Sequence, residues 1–170
     1  MYKPKNKWII TFEGSSDCTG KTTLINEFNK VTNYSHLLRD RGTLSTRAYA
    51  RKFGREIEDD FQQIESFINS YPYHLLVYLT ASKEDVKKRQ SIKNDGYDAN
   101  DYDIDKSLFD KCLATSKYKK IIKLNSSEMT INEEIEKILD DIQFYELADD
   151  IKKAINNYIE RKEYARQRRH

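Results

Sequence analysis

Turn-forming residues are scarce in this chain: its 170 residues include five glycines and two prolines. That scarcity excludes a low-complexity disordered protein and a fold built mainly of loops. Cysteine is nearly absent. Cys18 and Cys112 stand far apart, neither has a metal-ligand spacing, and three histidines do not complete one. No apolar run approaches the ~20 residues that a membrane-spanning helix needs, so no membrane partner is expected. Charge of one sign is also lacking, since the formal net charge is +2. The balance says little about partners, but the distribution says more. Acids cluster at Glu56–Asp60 and Asp95–Asp105, bases at Arg39–Arg55, Lys83–Lys93 and Arg161–Arg168. The opening residues run straight into an apolar segment, which leaves no room for a signal peptide before it. A reducing, cytoplasmic setting fits these absences.

What is present alternates between two periods. Trp8–Phe12, Tyr34–Leu38, His74–Leu79 and Lys120–Leu124 are short apolar runs that read as buried parallel strands. Helical patterns lie between them, at about Thr22–Asn29, Ser45–Phe53 with Ser45 as N-cap, Ile57–Ile68, Ser82–Lys93 and Lys106–Ser116. Ile57, Phe61, Ile64, Phe67 and Ile68 repeat at helical spacing. Ser82 with Asp85, and Thr130 with Glu133, have the form of capping boxes. The second opens a helix to about Leu139, and another runs from about Gln143 to Glu160. In that last helix Phe144, Leu147, Ile151, Ile155, Tyr158 and Ile159 form one stripe, which packs on its own core or forms a dimer. The pattern predicts a single α/β domain over 1–170, with a parallel sheet of about four or five strands and helices on both faces.

The segment Phe12–Thr23, FEGSSDCTGKTT, carries the chemistry. Gly20-Lys21-Thr22 fills the end of the phosphate-loop pattern G-x-x-x-x-G-K-[ST], with a strand before it and a helix after it. The first glycine slot falls on Ser15, with Gly14 one place earlier. Backbone N–H groups over Asp17, Cys18, Thr19, Gly20, Lys21, Thr22 and Thr23 would face anionic oxygens at a helix N-terminus. Lys21 would reach the β- and γ-phosphates, and the Thr22 hydroxyl would bind Mg²⁺. The expected ligands are therefore ATP and Mg²⁺.

The same segment resembles the loop of thymidylate kinases and related nucleoside monophosphate kinases, which reads F-E-G-x-D-G-x-G-K-[ST]-T. Phe12, Glu13 and Gly14 match its start, and Asp17, Gly20, Lys21, Thr22 and Thr23 its end. One extra residue lies between the halves, and Cys18 replaces the middle glycine. Asp40-Arg41 followed by Ser45, Ala48 and Tyr49 resembles the family's D-R-[YFH]-x-x-S-x-x-A-Y motif. Val77–Arg89 is similar to its strand leading to the lid. The resemblance implies that Asp40 lies near Mg²⁺ and the reacting phosphates, that Arg41 contacts the acceptor, and that Arg89 sits at a lid-arginine position. It also implies a role for Glu13 near the acceptor phosphate. The chain departs from the family in length. About eighteen residues separate Lys21 from Asp40, too few for the family's Arg-x-Pro acceptor segment, which suggests a reduced sheet.

Arg47, Arg51 and Arg55 share a four-residue spacing, and Tyr49 lies among them. Arg47 and Arg51 are candidates for acceptor phosphate, and Tyr49 for base stacking. Arg89 and Lys93 would close over the triphosphate, with a lid across 89–105. The basic helix end at 160–170 and the arginines of 39–55 leave a DNA or RNA acceptor open. The expected reaction is ATP-dependent phosphoryl transfer to a thymidylate-like nucleoside monophosphate. The rivals are a kinase acting on a polynucleotide end or modified base, and a non-catalytic nucleotide-binding module.

Overall fold

A computed structural model describes residues 2–55, 58–93 and 99–167. Four strands form: β1 (Ile9–Gly14), β2 (Leu37–Asp40), β3 (His74–Thr80) and β4 (Ile121–Asn125). All pair in parallel, in the order β2-β1-β3-β4. The helices are α1 (Lys21–Val31), α2 (Thr43–Lys52), α3 (Glu58–Ile68), α4 (Lys83–Lys93), α5 (Tyr102–Ala114) and α6 (Ile131–Gln167). A single 3-10 turn, Ala99–Asp101, leads into α5.

Strand alternation divides the core into two layers. Ile10, Phe12, Leu75, Val77 and Leu79 face α1 and α6, where Leu24, Phe28, Ile135, Ile138, Leu139 and Ile142 complete one cluster. Leu76 and Tyr78 face the other side and pack with Leu44 and Ala48 of α2 and Phe109, Cys112 and Leu113 of α5. Helices therefore cover both faces, and the central strand β3 is buried nearly throughout. No described helix is long and apolar enough to cross a membrane.

Four expectations are corrected. Ser45 is not the N-cap of α2: Gly42 holds that position, and the Ser45 hydroxyl donates back to the Gly42 carbonyl at 3.3 Å. The second strand lies at Leu37–Asp40, not Tyr34–Leu38, and it is a largely exposed edge strand. In α3, Ile64 and Phe67 are exposed, Ile68 packs against the core and Glu65 is buried, and Ile57 lies outside the described residues. The two helices expected after Thr130 are one helix, α6, of 37 residues. Its capping box is formed, with Glu133 accepting from the Thr130 N–H at 2.7 Å and from its hydroxyl at 2.8 Å. At Ser82 only half the box forms. The Ser82 hydroxyl accepts from the Asp85 N–H at 3.1 Å, while the Ser82 N–H donates to Ser127 instead. The expected lid, 89–105, falls partly outside the described residues, as does the end of the basic tail.

Candidate functional site

The C-terminal ends of β1 and β2 place two loops side by side. Between them lies a cleft of about 300 Å³, lined by residues 16–23, Asp40, Arg41, Arg89 and Lys93. The first loop takes its shape from two glycines. Gly20 opens α1 in the left-handed region, at φ +91°, where a side chain is strained. Gly14 is required by crowding, because a Cβ there would stand 2.4 Å from the Thr19 hydroxyl. Ser15 is not among the residues with positive φ, and its N–H donates to the Leu79 carbonyl at 3.0 Å. The glycine one place early in the sequence thus meets a packing demand, and the usual glycine slot makes none. Cys18 sits at φ +60°.

The second loop begins as β2 ends. Arg41 has φ +69°, and its N–H donates to the Phe12 carbonyl at 2.9 Å. The two loops exchange charges across the cleft. The Lys21 ammonium pairs with the Asp40 carboxylate, and the Arg41 guanidinium pairs with Asp17 at 2.6 Å. Arg41 also lies over the Tyr49 ring, 5.8 Å from its centroid.

Glu13 lies behind this cleft and does not line it. It is fully buried, and its Oε1 accepts from the Gly42 N–H at 2.7 Å and the Ser45 N–H at 3.3 Å. A carboxylate from β1 therefore caps the N-terminus of α2, which has no side-chain cap of its own. Burial pushes the Glu13 carboxyl up, against the opposing pull of the Ser45 and Gly42 bonds and of Lys21. The sequence carries no signal for this contact, because its partners are backbone groups about thirty positions away.

Arg89 reaches the cleft but is engaged from behind. Nη1 donates to the Cys18 carbonyl at 3.3 Å and the Ser126 hydroxyl at 2.8 Å, and Nη2 donates to the Ser126 carbonyl at 2.9 Å. The Ser126 hydroxyl in turn donates to the Thr19 carbonyl at 2.8 Å. These bonds engage the loop carbonyls of Cys18 and Thr19. Ser126 was invisible in the sequence as a site-supporting residue.

The expected acceptor residues divide. Arg41 lines the cleft. Arg47 does not: it is buried, paired with Glu65 at 3.1 Å, and donates to the Cys112 carbonyl at 3.2 Å and to Thr115 at 2.7 Å. A guanidinium so enclosed cannot reach an acceptor phosphate, and its assignment there is withdrawn. Tyr49 packs edge-on against Phe109 and stands beside the cleft, beneath Arg41. Arg51 is exposed in the last turn of α2 and does not line the cleft.

Thr22 and Asp40 supply one hydroxyl and one carboxylate to the same cleft. Hard oxygen donors of this kind suit Mg²⁺, which takes few protein ligands and completes its shell with water and phosphate. The donor set fits that ion. Among the described residues, no group of three or more His, Cys, Asp or Glu forms a metal site.

No family model matches the chain, and no curated protein matches it. Among solved structures, YorR from Bacillus subtilis, determined in complex with phosphorylated GDP, superposes with a TM-score of 0.64 at 21% identity. The match covers 79% of this chain and 95% of YorR. An uncharacterized protein from Eubacterium ventriosum ATCC 27560 is 10% identical over 81% of this chain and 99% of its own, with a TM-score of 0.48. The likeness to YorR establishes the fold: this chain has a compact α/β architecture of the P-loop NTPase type, a four-stranded parallel sheet flanked by helices.

Proposed function

We propose that this chain binds ATP with Mg²⁺ and transfers the γ-phosphoryl group to a (deoxy)nucleoside monophosphate. One observation carries the reading: a lysine at the head of α1, beside a left-handed glycine, meets an aspartate from the neighbouring strand across a phosphate-sized cleft. Lys21 and the N–H groups at the start of α1 hold the donor phosphates. Thr22 and Asp40 would hold Mg²⁺, which would neutralise phosphate charge when bound. The triphosphate would compete with Asp40 for Lys21, leaving the Asp40 carboxylate available. Arg41 orients the acceptor, exchanging Asp17 for acceptor phosphate in a two-pronged contact suited to guanidinium. An acceptor phosphate oxygen then attacks the γ-phosphorus, the bond to the β–γ bridging oxygen breaks, and ADP leaves with that electron pair. Glu13 acts as a positioning residue, because its cap sets where α2 and Arg41 begin. YorR's complex with a phosphorylated nucleoside diphosphate supports a nucleotide ligand and leaves the base open. The buried state of Arg47 weakens the case for a polynucleotide track along α2.

The test is transfer from γ-labelled ATP with Mg²⁺ to a panel of nucleoside monophosphates, nucleosides, and single- and double-stranded DNA and RNA. Label on one monophosphate, lost in Lys21→Ala, supports the reading and names the base. Label on a polynucleotide, or ATP binding without transfer to any acceptor, overturns it.

A further inference from the structure

The second half of α6 leaves the body of the protein carrying an exposed apolar face. Phe144, Leu147, Ile151, Ile155, Tyr158 and Ile159 are 47% to 66% exposed. They lie opposite the helix's buried side, since nine residues at 100° each put Ile151 about 180° around from Ile142. Every residue from Ile151 to Tyr164 is exposed.

The stripe is symmetric along its length. From Phe144 through Leu147, Ile151 and Ile155 to Tyr158 the steps are three, four, four and three residues. A two-fold axis through Ile151 therefore sets Ile151 against itself, Leu147 against Ile155, Phe144 against Tyr158 and Ala148 against Ala154. The charges follow the same axis with opposite sign. Residues 140–150 contain Asp140, Asp141, Glu146, Asp149 and Asp150 and no base, whereas residues 151–162 carry Lys152, Lys153, Arg161 and Lys162 against Glu160 alone. The axis brings Asp140 to Lys162 and Asp141 to Arg161.

We propose that α6 forms an antiparallel helix pair with α6 of a second copy of this chain, centred on Ile151. Antiparallel pairing puts the acidic half of each helix beside the basic half of its partner, whereas parallel pairing puts like charges together. A self-complementary contact of this kind closes at two copies. The mixed charge flanking the stripe also differs from the lysine- and arginine-rich polar face of a membrane-lying helix.

The test is sedimentation of the full chain, followed by cross-linking. The wild type is expected to be a dimer, and Ile151→Glu, which sets two carboxylates against each other at the axis, is expected to raise the dissociation constant at least ~100-fold. Because the stripe is exposed in the single chain, circular dichroism and melting of dilute Ile151→Glu should match the wild type. In a Cys18→Ser background, Phe144→Cys mixed with Tyr158→Cys should give a disulfide-linked heterodimer, and Phe144→Cys alone should not. A wild type that stays monomeric at sub-millimolar concentration overturns the proposal and leaves the face to another partner. Efficient self-cross-linking of Phe144→Cys overturns the antiparallel arrangement. Reversing Asp140 and Asp141 to Lys should weaken the dimer, and adding Arg161→Glu with Lys162→Glu should restore it. Failure to restore it also counts against this register.

Discussion

Glu134 lies in the first turns of α6, fully buried, and neither carboxylate oxygen has a hydrogen-bond partner among the described residues. Burial pushes its carboxyl from the usual range up to about 7, against the pull of Arg89. The folded protein therefore holds a proton that the unfolded chain releases at an ordinary carboxylate pKa. The stability this gives is fully present below about pH 4.5 and is lost as pH rises through about 7. Glu134→Gln should melt higher than wild type by a margin that grows from pH 5 to pH 8. A margin that stays flat with pH would refute this. The glycine offset in the phosphate loop is also testable at this scale. Gly14→Ala drives a methyl into Thr19 and should cost ~1–3 kcal/mol in denaturant melts, with weaker ATP binding by calorimetry. Ser15→Gly, which restores the usual motif spelling, should not tighten ATP, because Ser15 is not held at positive φ.

Between elements, a buried polar knot ties α2 to α3 and α5. Glu65 of α3 accepts from Arg47 at 3.1 Å, from the Thr43 hydroxyl at 2.8 Å and from the Lys117 N–H at 2.8 Å. Arg47 continues to α5 through the Cys112 carbonyl. Removing one partner strands the other charge away from water. Arg47→Ala should cost ~3–5 kcal/mol, and Arg47→Met with Glu65→Leu should cost far less, as read from urea unfolding. This knot explains why Arg47 looked like a binding residue. A four-residue arginine spacing is the same on a surface and in a core, and the buried glutamate that decides between them comes from another helix. β1, β3, β4 and the phosphate loop were legible because each is written in consecutive residues, whereas the exposed edge strand β2 ends in Arg39-Asp40 and carries no such run. Helix α6 was not, because its apolar stripe changes sides between Ile142 and Phe144. That change of phase was read as a break in the helix.

Across the whole molecule, α6 does two jobs with two halves. Up to Asp150 it closes the core and clasps the N-terminal segment. Glu146 accepts from the N–H groups of Lys5 and Asn6, each at 2.9 Å, and from the Trp8 indole at 2.9 Å. Burial opposes this charge, but the bonds from Tyr2, Lys5, Trp8 and Asn6 outweigh it and bring the carboxyl down to about 2. That contribution is present above about pH 4.5 and is lost as pH falls toward 2. Deleting residues 151–170 should leave the melting temperature of the dilute chain nearly unchanged, whereas deleting from 143 should unfold it. Circular dichroism of the two truncations separates the cases.

The two crossed ion pairs at the mouth of the cleft have a consequence for selectivity. Lys21 with Asp40 and Arg41 with Asp17 make the cleft its own counter-ion. An incoming anion does not fall into an open positive well; it must trade places with carboxylates already seated there. A small anion that replaces one of them leaves the second pair intact and gains little. Under the proposed function, a long polyphosphate with its metal ion would displace both and give each freed carboxylate a new neighbour. On that reading the two pairs are expected to favour a long polyphosphate over free phosphate, and competition of the two anions for the cleft, read by calorimetry, checks this.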